Sequence, residues 1–264
     1  MKIANPKKSL GQNFLIDKNI LEIIVNTVDI KKNDTILEVG PGTGKLTEQI
    51  LLKKPKKVFV IEKDKLLSEK LHEKFKKKII IINDDILNVE EEKYSDQPMI
   101  VFGNLPYNIS TQILIKWIRY NNLNNIFKNF VLMFQKEVAE RIISEINTKN
   151  YGRLSILSSW KLKIKKIADV SPNSFYPKPK VKSTILLIEP KNEYFKLKNT
   201  KNLEHITNIF FNQRRKMIKK PLNIIFKNVD EISKKLGINI SDRPQNLSAL
   251  KYFEICKEYE NLTS

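Results

Sequence analysis

Thr35–Gly44 reads TILEVGPGTG, an apolar run that ends in three glycines at alternating positions. Its first part, Thr35–Val39, is short and rich in apolar side chains, which is typical of a strand covered on both faces. The residues after the glycines, Lys45–Leu52, have the apolar spacing of a helix. A strand, a glycine loop and a helix in this order place backbone N–H groups at the carboxyl end of the strand, where open α/β sheets bind ligands.

The alternation of strand and helix continues on both sides of this stretch. Further buried strands are predicted at Val58–Ile61, Ile79–Ile82, Ile100–Phe102, Phe130–Phe134 and Ser183–Ile188. Helices are predicted after Asp17, which is a favourable N-cap, and at Leu66–Phe75, Thr111–Tyr120 and Glu137–Ile146. This rhythm favours an α/β fold with a mostly parallel, doubly wound central sheet.

The pattern changes after Pro190. Residues 171–182 contain three prolines and predict a loop that leads into the last strand. Beyond Pro190 the pattern is purely helical, with helices expected at about 203–219, 222–227, 230–236 and 246–260. We therefore predict two domains, residues 1–190 with the sheet and residues 191–264 as a small all-α domain.

Composition and charge limit the classes of function. The 264 residues carry a net charge of +19, from 48 Lys and Arg against 29 Asp and Glu, and such a field favours a polyanion such as nucleic acid as partner. A compositional bias toward Lys, Ile and Asn would raise the charge without a functional cause, so both explanations stay open. No apolar run approaches the roughly 20 residues that span a bilayer, and no secretory signal is present, so we predict a cytoplasmic protein without a membrane partner. The single cysteine, Cys256, and the two histidines argue against a disulfide framework and against a metal site.

Three nucleotide-binding motifs compete for the glycine loop. A P-loop needs Ser or Thr where Leu46 stands, and the dinucleotide fingerprint needs glycine where Lys45 stands. What remains is G-x-G-x-G behind an acidic residue, Glu38, and this pattern resembles the first motif of S-adenosylmethionine-dependent methyltransferases. Gly40 and Gly42 are therefore candidate contacts to that cofactor.

Two acidic residues stand at the ends of the next two predicted strands. Glu62 ends the second strand, where a carboxylate can accept hydrogen bonds from both ribose hydroxyls. Asp85 follows the third strand, where an acid can meet an adenine amino group. The glycine loop and the two acidic residues follow three successive strands in this order. Together they indicate an adenosine-containing cofactor more strongly than any one of them does alone.

Asn104-Leu105-Pro106-Tyr107 follows the fourth strand and is the most specific motif of the chain. The exocyclic amine of adenine is a poor nucleophile, and two acceptors aimed at its N–H bonds, the Asn104 side-chain carbonyl and the Leu105 backbone carbonyl, would favour the reactive tetrahedral form. Pro106 restricts the Leu105 backbone, and Tyr107 offers a face on which a base can stack. Phe175 is the candidate for a second aromatic wall.

The whole chain resembles the small-subunit ribosomal RNA adenine dimethyltransferases. The resemblance is carried by Ser9–Leu15, Glu38–Thr47, Asn104–Ser110, Gln135–Val138, Tyr151–Ser155, Pro172–Ser183 and Phe211–Lys216. It implies a Rossmann-like methyltransferase domain with a helical, RNA-contacting domain after it, and S-adenosylmethionine as methyl donor. The implied substrate is a pair of adjacent adenosines in a hairpin loop near the 3′ end of small-subunit (16S) RNA, dimethylated at N6 in the assembling subunit, and we expect a monomer to act on it. One departure is Gln245, where the family is expected to have an acid.

The resemblance also implies roles for individual residues. The implied contacts to the methyl donor are Asn13, Leu15, Gly40, Glu62, Asp85 and Asn104. Arginine in a chain that otherwise uses lysine suggests forked phosphate contacts, and the candidate RNA-binding residues are Arg153, Arg214, Arg215 and Lys216.

Two other functions remain open from the sequence. The same chemistry could act on a large-subunit RNA loop, or the fold could serve a nucleic-acid-binding protein without catalysis. The intact Asn104–Tyr107 motif argues against the second alternative, and Phe211–Lys216 with the long helical region argues against the first.

Overall fold

A computed structural model describes residues 11–262. The chain forms two compact units. The sheet unit comprises the described residues up to 139 together with residues 163–190, and the helical unit comprises residues 140–162 together with the described residues after 190. Ser9 and Leu10, which open the first resembling segment, lie outside the described residues.

The division differs from the predicted one in the middle of the chain. A boundary lies at Pro190, where the sequence pattern changes, but residues 140–162 group with the helices after 191 rather than with the sheet. The reason is packing inside the helical unit. The Tyr151 hydroxyl donates to the Leu247 carbonyl at 3.0 Å, and the Trp160 indole N–H donates to the Phe195 carbonyl at 2.7 Å.

Within the described residues, nine strands form two sheets. They are β1 (Phe14–Leu15), β2 (Thr35–Val39), β3 (Lys57–Ile61), β4 (Ile80–Ile82), β5 (Met99–Asn104), β6 (Phe127–Gln135), β7 (Leu162–Val170), β8 (Phe175–Tyr176) and β9 (Ser183–Pro190). The main sheet has the order β4-β3-β2-β5-β6-β9-β7, and β1 pairs with β8 in a separate two-stranded sheet. Strands β2 to β6 pair in parallel, whereas β9 runs antiparallel to β6. The predicted α/β fold with a mostly parallel central sheet is confirmed.

Helices connect the parallel strands and build the second unit. Those that begin before residue 140 are α1 (Lys18–Asn26), α2 (Lys45–Leu52), α3 (Lys65–Phe75), α4 (Ser110–Ile118), α5 (Leu123–Ile126) and α6 (Lys136–Ile142). The later ones are α7 (Arg153–Lys161), α8 (Thr200–Phe211), α9 (Lys219–Ile225), α10 (Val229–Leu236) and α11 (Ala249–Leu262). The predicted cap of α1 is confirmed, because the Asp17 carboxylate accepts from the backbone N–H groups of Asn19 at 3.0 Å and Ile20 at 3.4 Å.

The strand register collects the functional motifs at one edge of the main sheet. All five residues of β2 are buried, and the glycine loop leaves from its carboxyl end. Asn104, the last residue of β5, pairs with Met133 of β6. Because β9 is antiparallel, its first residue, Ser183, pairs with Gln135 at the carboxyl end of β6. An antiparallel strand therefore contributes its amino end to the edge where the parallel strands contribute their carboxyl ends.

Within residues 11–262, every helix is too short or too polar to cross a bilayer.

Candidate active site

One cavity lies at the carboxyl edge of the main sheet. Nine of the residues predicted to bind the cofactor or to act on the base line it, namely Asn13, Leu15, Gly40, Gly42, Glu62, Asp85, Asn104, Leu105 and Tyr107. They come from the segment around β1, the ends of β2 and β3, the loop after β4 and the end of β5. Residues far apart in sequence thus share one site, as parallel strands with a common edge require.

The glycine loop needs its glycines for conformation and for space. Gly40 has a φ of 69° and Gly42 has a φ of 55°, both in the left-handed region that other residues avoid. A Cβ on Gly42 would lie 2.8 Å from Cδ1 of Phe14, a cavity-lining ring. A Cβ on Gly40 would meet only the Asn104 carbonyl oxygen, at 3.7 Å. Because glycine has no Cβ, the backbone of Gly40 and Gly42 lines the cavity directly.

Glu62 is fixed between the loop and the start of α3. Its Oε2 accepts from the Gly42 N–H at 3.2 Å and its Oε1 accepts from the Asp64 N–H at 2.9 Å. Burial raises the pKa of Glu62, while these two backbone hydrogen bonds act in the opposite direction. A carboxylate has about four lone-pair sites, so both oxygens keep capacity to accept from a ligand.

Asp85 is held by an ion pair and by a backbone hydrogen bond. The Lys63 ammonium lies 2.8 Å from its Oδ2, and the Leu87 N–H donates to its Oδ1 at 3.0 Å. Partial burial raises the pKa of Asp85, but the hydrogen bonds from Lys63 and Leu87 outweigh it and hold the pKa below its ordinary value. The side chain is therefore an ionised acceptor at neutral pH.

Glu38 also lines the cavity, although the sequence marked it only as the acid before the glycines. Its side chain is 1% exposed, and its Oε2 accepts from the Thr47 hydroxyl at 2.6 Å. Burial raises the pKa of Glu38 to about 8, and the nearby Glu62 carboxylate adds to the rise. Glu38 therefore holds a proton near neutral pH, which keeps the number of negative charges under the loop low.

Asn104 is oriented by the segment around β1. Its Nδ2 donates to the Asn13 backbone carbonyl at 2.8 Å, and the Asn13 side chain in turn donates to the Gly11 carbonyl at 3.1 Å. Because the Asn104 amide nitrogen is used in this way, its carbonyl oxygen is left to face other partners at the cavity. The predicted acceptor role of Asn104 agrees with this orientation.

Tyr107 is held at its far end. Its hydroxyl lies 2.6 Å from the Ser183 hydroxyl, and either group can be the donor. Burial raises the pKa of Tyr107, and the hydrogen bond to Ser183 works against the rise. Ser183 was predicted only as the first residue of a strand. Its role was missed because the direction of that strand relative to its neighbours is not visible in the sequence.

Phe175 differs from its predicted place. It is absent from the cavity lining among the described residues, is 3% exposed and belongs to the buried core. It pairs with Leu15 between β8 and β1. Since alternate residues of a strand point to opposite faces, this pairing buries Phe175 and leaves the next residue, Tyr176, 46% exposed.

The predicted RNA-binding residues all lie in the helical unit. Arg153, Arg215 and Lys216 are exposed. The Arg214 guanidinium is partly used inside the unit, because it donates to the Lys149 carbonyl at 2.6 Å and to the Thr148 carbonyl at 3.4 Å. The contact positions Arg214 beside the loop that precedes α7.

Comparisons with known proteins identify the family of the chain. The sequence matches the family described as ribosomal RNA adenine dimethylase over residues 3–261. A relative named ribosomal RNA small subunit methyltransferase A, from Pelagibacter ubique (strain HTCC1062), is 61% identical over 256 residues, which cover 97% of this chain and 97% of the relative. The protein of that name from Ehrlichia ruminantium (strain Gardel) is 43% identical over 260 residues, with 96% and 97% covered. A solved dimethyladenosine transferase from Plasmodium falciparum has a TM-score of 0.78 and 26% identity, over 94% of this chain and 98% of that one.

Proposed function

Since the chain belongs to the ribosomal RNA adenine dimethylase family, we propose that it dimethylates the N6 amino groups of two adjacent adenosines in small-subunit ribosomal RNA. The proposed target is the hairpin loop near the 3′ end of 16S RNA in the assembling subunit, and the proposed methyl donor is S-adenosylmethionine. A single copy of the chain acts on the subunit, in the cytoplasm where subunits are assembled.

The observation that carries the proposal is the orientation of Asn104. Its amide nitrogen is bonded to the Asn13 carbonyl at 2.8 Å, so the amide oxygen is available to accept from an incoming amine. Tyr107 lines the same cavity as the glycine loop, which brings a stacking face and an acceptor pair to the place where a cofactor would lie. A nucleic-acid-binding protein without catalysis has no need for this arrangement.

The residues present fit S-adenosylmethionine. Gly40 and Gly42 leave the cavity wall without Cβ atoms, and Glu62 and Asp85 line the same cavity as acceptors for ribose hydroxyls and an adenine amino group. Asn13 and Leu15 form another part of the lining and would help to cover the cofactor. When bound, S-adenosylmethionine supplies an electrophilic methyl group on a sulfonium.

The protein's own part in the reaction is to position the amine and stabilise its charge. The Asn104 amide oxygen and the Leu105 backbone carbonyl accept hydrogen bonds from the two N–H groups of the adenine amine. These bonds localise the nitrogen lone pair for attack. Tyr107 holds the base by stacking, which requires a base that is single-stranded or flipped out. The amine gains positive charge during attack and releases a proton afterwards, so no general base is needed before the methyl group moves.

The helical unit supplies the proposed RNA contacts. Arg153, Arg215 and Lys216 are exposed, and phosphate contacts of this kind set orientation rather than sequence preference. The target base is then recognised at the cavity, through the hydrogen bonds that its amine donates to Asn104 and Leu105.

Mapping of the methylated bases tests the proposal. Purified protein is incubated with unmethylated ribosomal subunits and S-adenosylmethionine, the subunits are separated, and the RNA of each is analysed by mass spectrometry for N6,N6-dimethyladenosine. We expect two dimethylated adenosines near the 3′ end of the small-subunit RNA. A mark confined to large-subunit RNA, or no mark on either subunit, would overturn the proposal.

A further inference from the structure

The hydrogen bond between Tyr107 and Ser183 links the base-stacking residue to a strand that the proposed reaction does not otherwise use. The two hydroxyl oxygens lie 2.6 Å apart, within the range of an O–H···O hydrogen bond. Ser183 is fully buried, at 0% exposure. A buried hydroxyl is expected to have a hydrogen-bond partner, and the partner of Ser183 is the tip of a tyrosine that lines the cavity.

Tyr107 is fixed at both ends. At its backbone, the Tyr107 carbonyl accepts from the Ser110 hydroxyl at 3.3 Å, and the Pro106 carbonyl accepts from the Ile109 N–H at 3.2 Å. These bonds hold the main chain in a turn, but they leave the side chain a choice of directions by rotation about its Cα–Cβ bond. The hydrogen bond to Ser183 holds the far tip of the ring and so fixes the direction in which the ring extends from Cβ.

Ser183 is held in place by strand pairing and by the hydrogen bonds of the next residue. It pairs with Gln135 of β6, and the next residue, Thr184, donates to Asp169 at 2.7 Å. Asp169 also accepts from Lys166 at 2.9 Å and from Lys136 at 3.2 Å. Ties to two neighbouring strands and to the start of α6 hold the amino end of β9, so the Ser183 hydroxyl has little freedom to follow Tyr107.

We propose that Ser183 is a positioning residue for methyl transfer, whose hydroxyl holds the tip of the Tyr107 ring so that the target adenine stacks with its amine toward Asn104. This inference rests on the proposed function and deepens it. Ser183 touches neither the base nor the cofactor in this scheme. It acts only through the orientation of Tyr107.

A double-mutant cycle tests the inference. The variants are Ser183→Ala, Tyr107→Phe and the pair together, and the readout is the single-turnover rate of methyl transfer at saturating small subunits and S-adenosylmethionine. A neutral hydrogen bond of this kind corresponds to a rate change of roughly 3- to 10-fold, which we expect for each single variant. Because both remove the same bond, the double variant should be no slower than either single one.

Other readouts separate positioning from general damage. Dissociation constants for S-adenosylmethionine and for the subunit should stay within about twofold of the wild type, since the bond is proposed to orient the base and not to bind either ligand. Ser183→Thr keeps a hydroxyl and should recover most of the rate. Ser158→Ala is the matched control, because the Ser158 hydroxyl is equally buried and has no hydrogen-bond partner among residues 11–262. Its rate should equal that of the wild type.

Two results would overturn the inference. One is a double variant whose loss equals the product of the two single losses, because the two hydroxyls would then act independently. The other is a Ser183→Ala enzyme with the wild-type rate. Both differ from failure of the proposed function, in which the wild-type chain itself would leave small-subunit RNA unmethylated.

Discussion

At the residue scale, Asn104 is the most sensitive position of the site. Asn104→Ala removes the acceptor for the target amine together with the bond to Asn13. Loss of one preorganised polar group at an active site costs about 10²- to 10³-fold in rate, and we expect that loss in the single-turnover rate of methyl transfer. Affinity for the small subunit, measured by filter binding, should change little, since phosphate contacts dominate it.

Asn33→Ala is the matched control for this variant, because Asn33 is an exposed asparagine away from the cavity lining. It should keep full activity. An Asn104→Ala enzyme that still methylates at a tenth of the wild-type rate or better would contradict the acceptor role.

Glu38 gives the protein a pH dependence of stability. Its folded pKa is about 8 because of burial, against an ordinary value of 4.5. Between these two values the folded chain holds a proton that the unfolded chain releases, so the free energy of unfolding falls as the pH rises through this window. Glu38→Gln cannot ionise and should remove that part of the slope, which is on the order of 1 kcal/mol for each pH unit crossed.

Urea unfolding at about pH 5 and about pH 8 measures the effect. The variant should lose less stability than the wild type between the two conditions. An equal loss in both proteins would mean that other groups, such as Glu62, carry the dependence.

Single residues were predicted well where their chemistry is local. Asn104 and Glu62 could be placed from the sequence, because each follows an apolar strand and the strand ends meet at one edge of the sheet. Phe175 and Ser183 could not. Their environments depend on pairing between segments far apart in the chain, and an antiparallel neighbour or a two-stranded patch leaves no periodic signal in either segment alone.

At the scale of elements, the glycine loop allows a sharp comparison. Gly40→Ala places a side chain in the left-handed region, which costs about 1–2 kcal/mol. Gly42→Ala carries the same conformational cost and also drives its Cβ to 2.8 Å from Phe14, and overpacking of this kind adds about 1–3 kcal/mol. The midpoint of thermal unfolding should therefore fall further for Gly42→Ala, with Gly40→Ala as the internal control. Equal midpoints would show that Phe14 moves aside at no cost.

Two elements, β7 and α7, escaped prediction for different physical reasons. β7 is an edge strand with lysines at 163, 165 and 166, and charged side chains of this kind protect edges from further pairing. Lys163 and Lys165 fit the alternation of apolar and polar residues, but Lys166 interrupts it and shortens the signal by which a strand is recognised. α7 is buried on most sides, so its sequence lacks the polar stripe that marks a surface helix.

At the scale of the whole molecule, the net charge of +19 predicts strong salt dependence of RNA binding. The logarithm of the affinity for small subunits should fall linearly with the logarithm of salt concentration. Arg215→Ala and Lys216→Ala should each lower the slope by about one if each residue contacts one phosphate. Lys227→Ala, an exposed lysine of the same unit, is the control.

An affinity that does not change between low and moderate salt would contradict this expectation. The excess of lysine would then be a matter of composition alone. Arg214→Ala is less informative, because its guanidinium already bonds to backbone carbonyls and its removal would disturb the loop before α7.

The two units interleave along the chain, which passes from one to the other near residues 139, 162 and 190. During synthesis, residues 140–162 leave the ribosome before the helices on which they pack exist, and the sheet lacks β9 until residue 190 has emerged. The sheet unit can therefore be completed at residue 190, whereas the helical unit must wait for the helices that follow. In a nascent chain, residues 140–162 are therefore exposed until α8 has been made, and a stop before the last helix, α11, leaves them only partly covered.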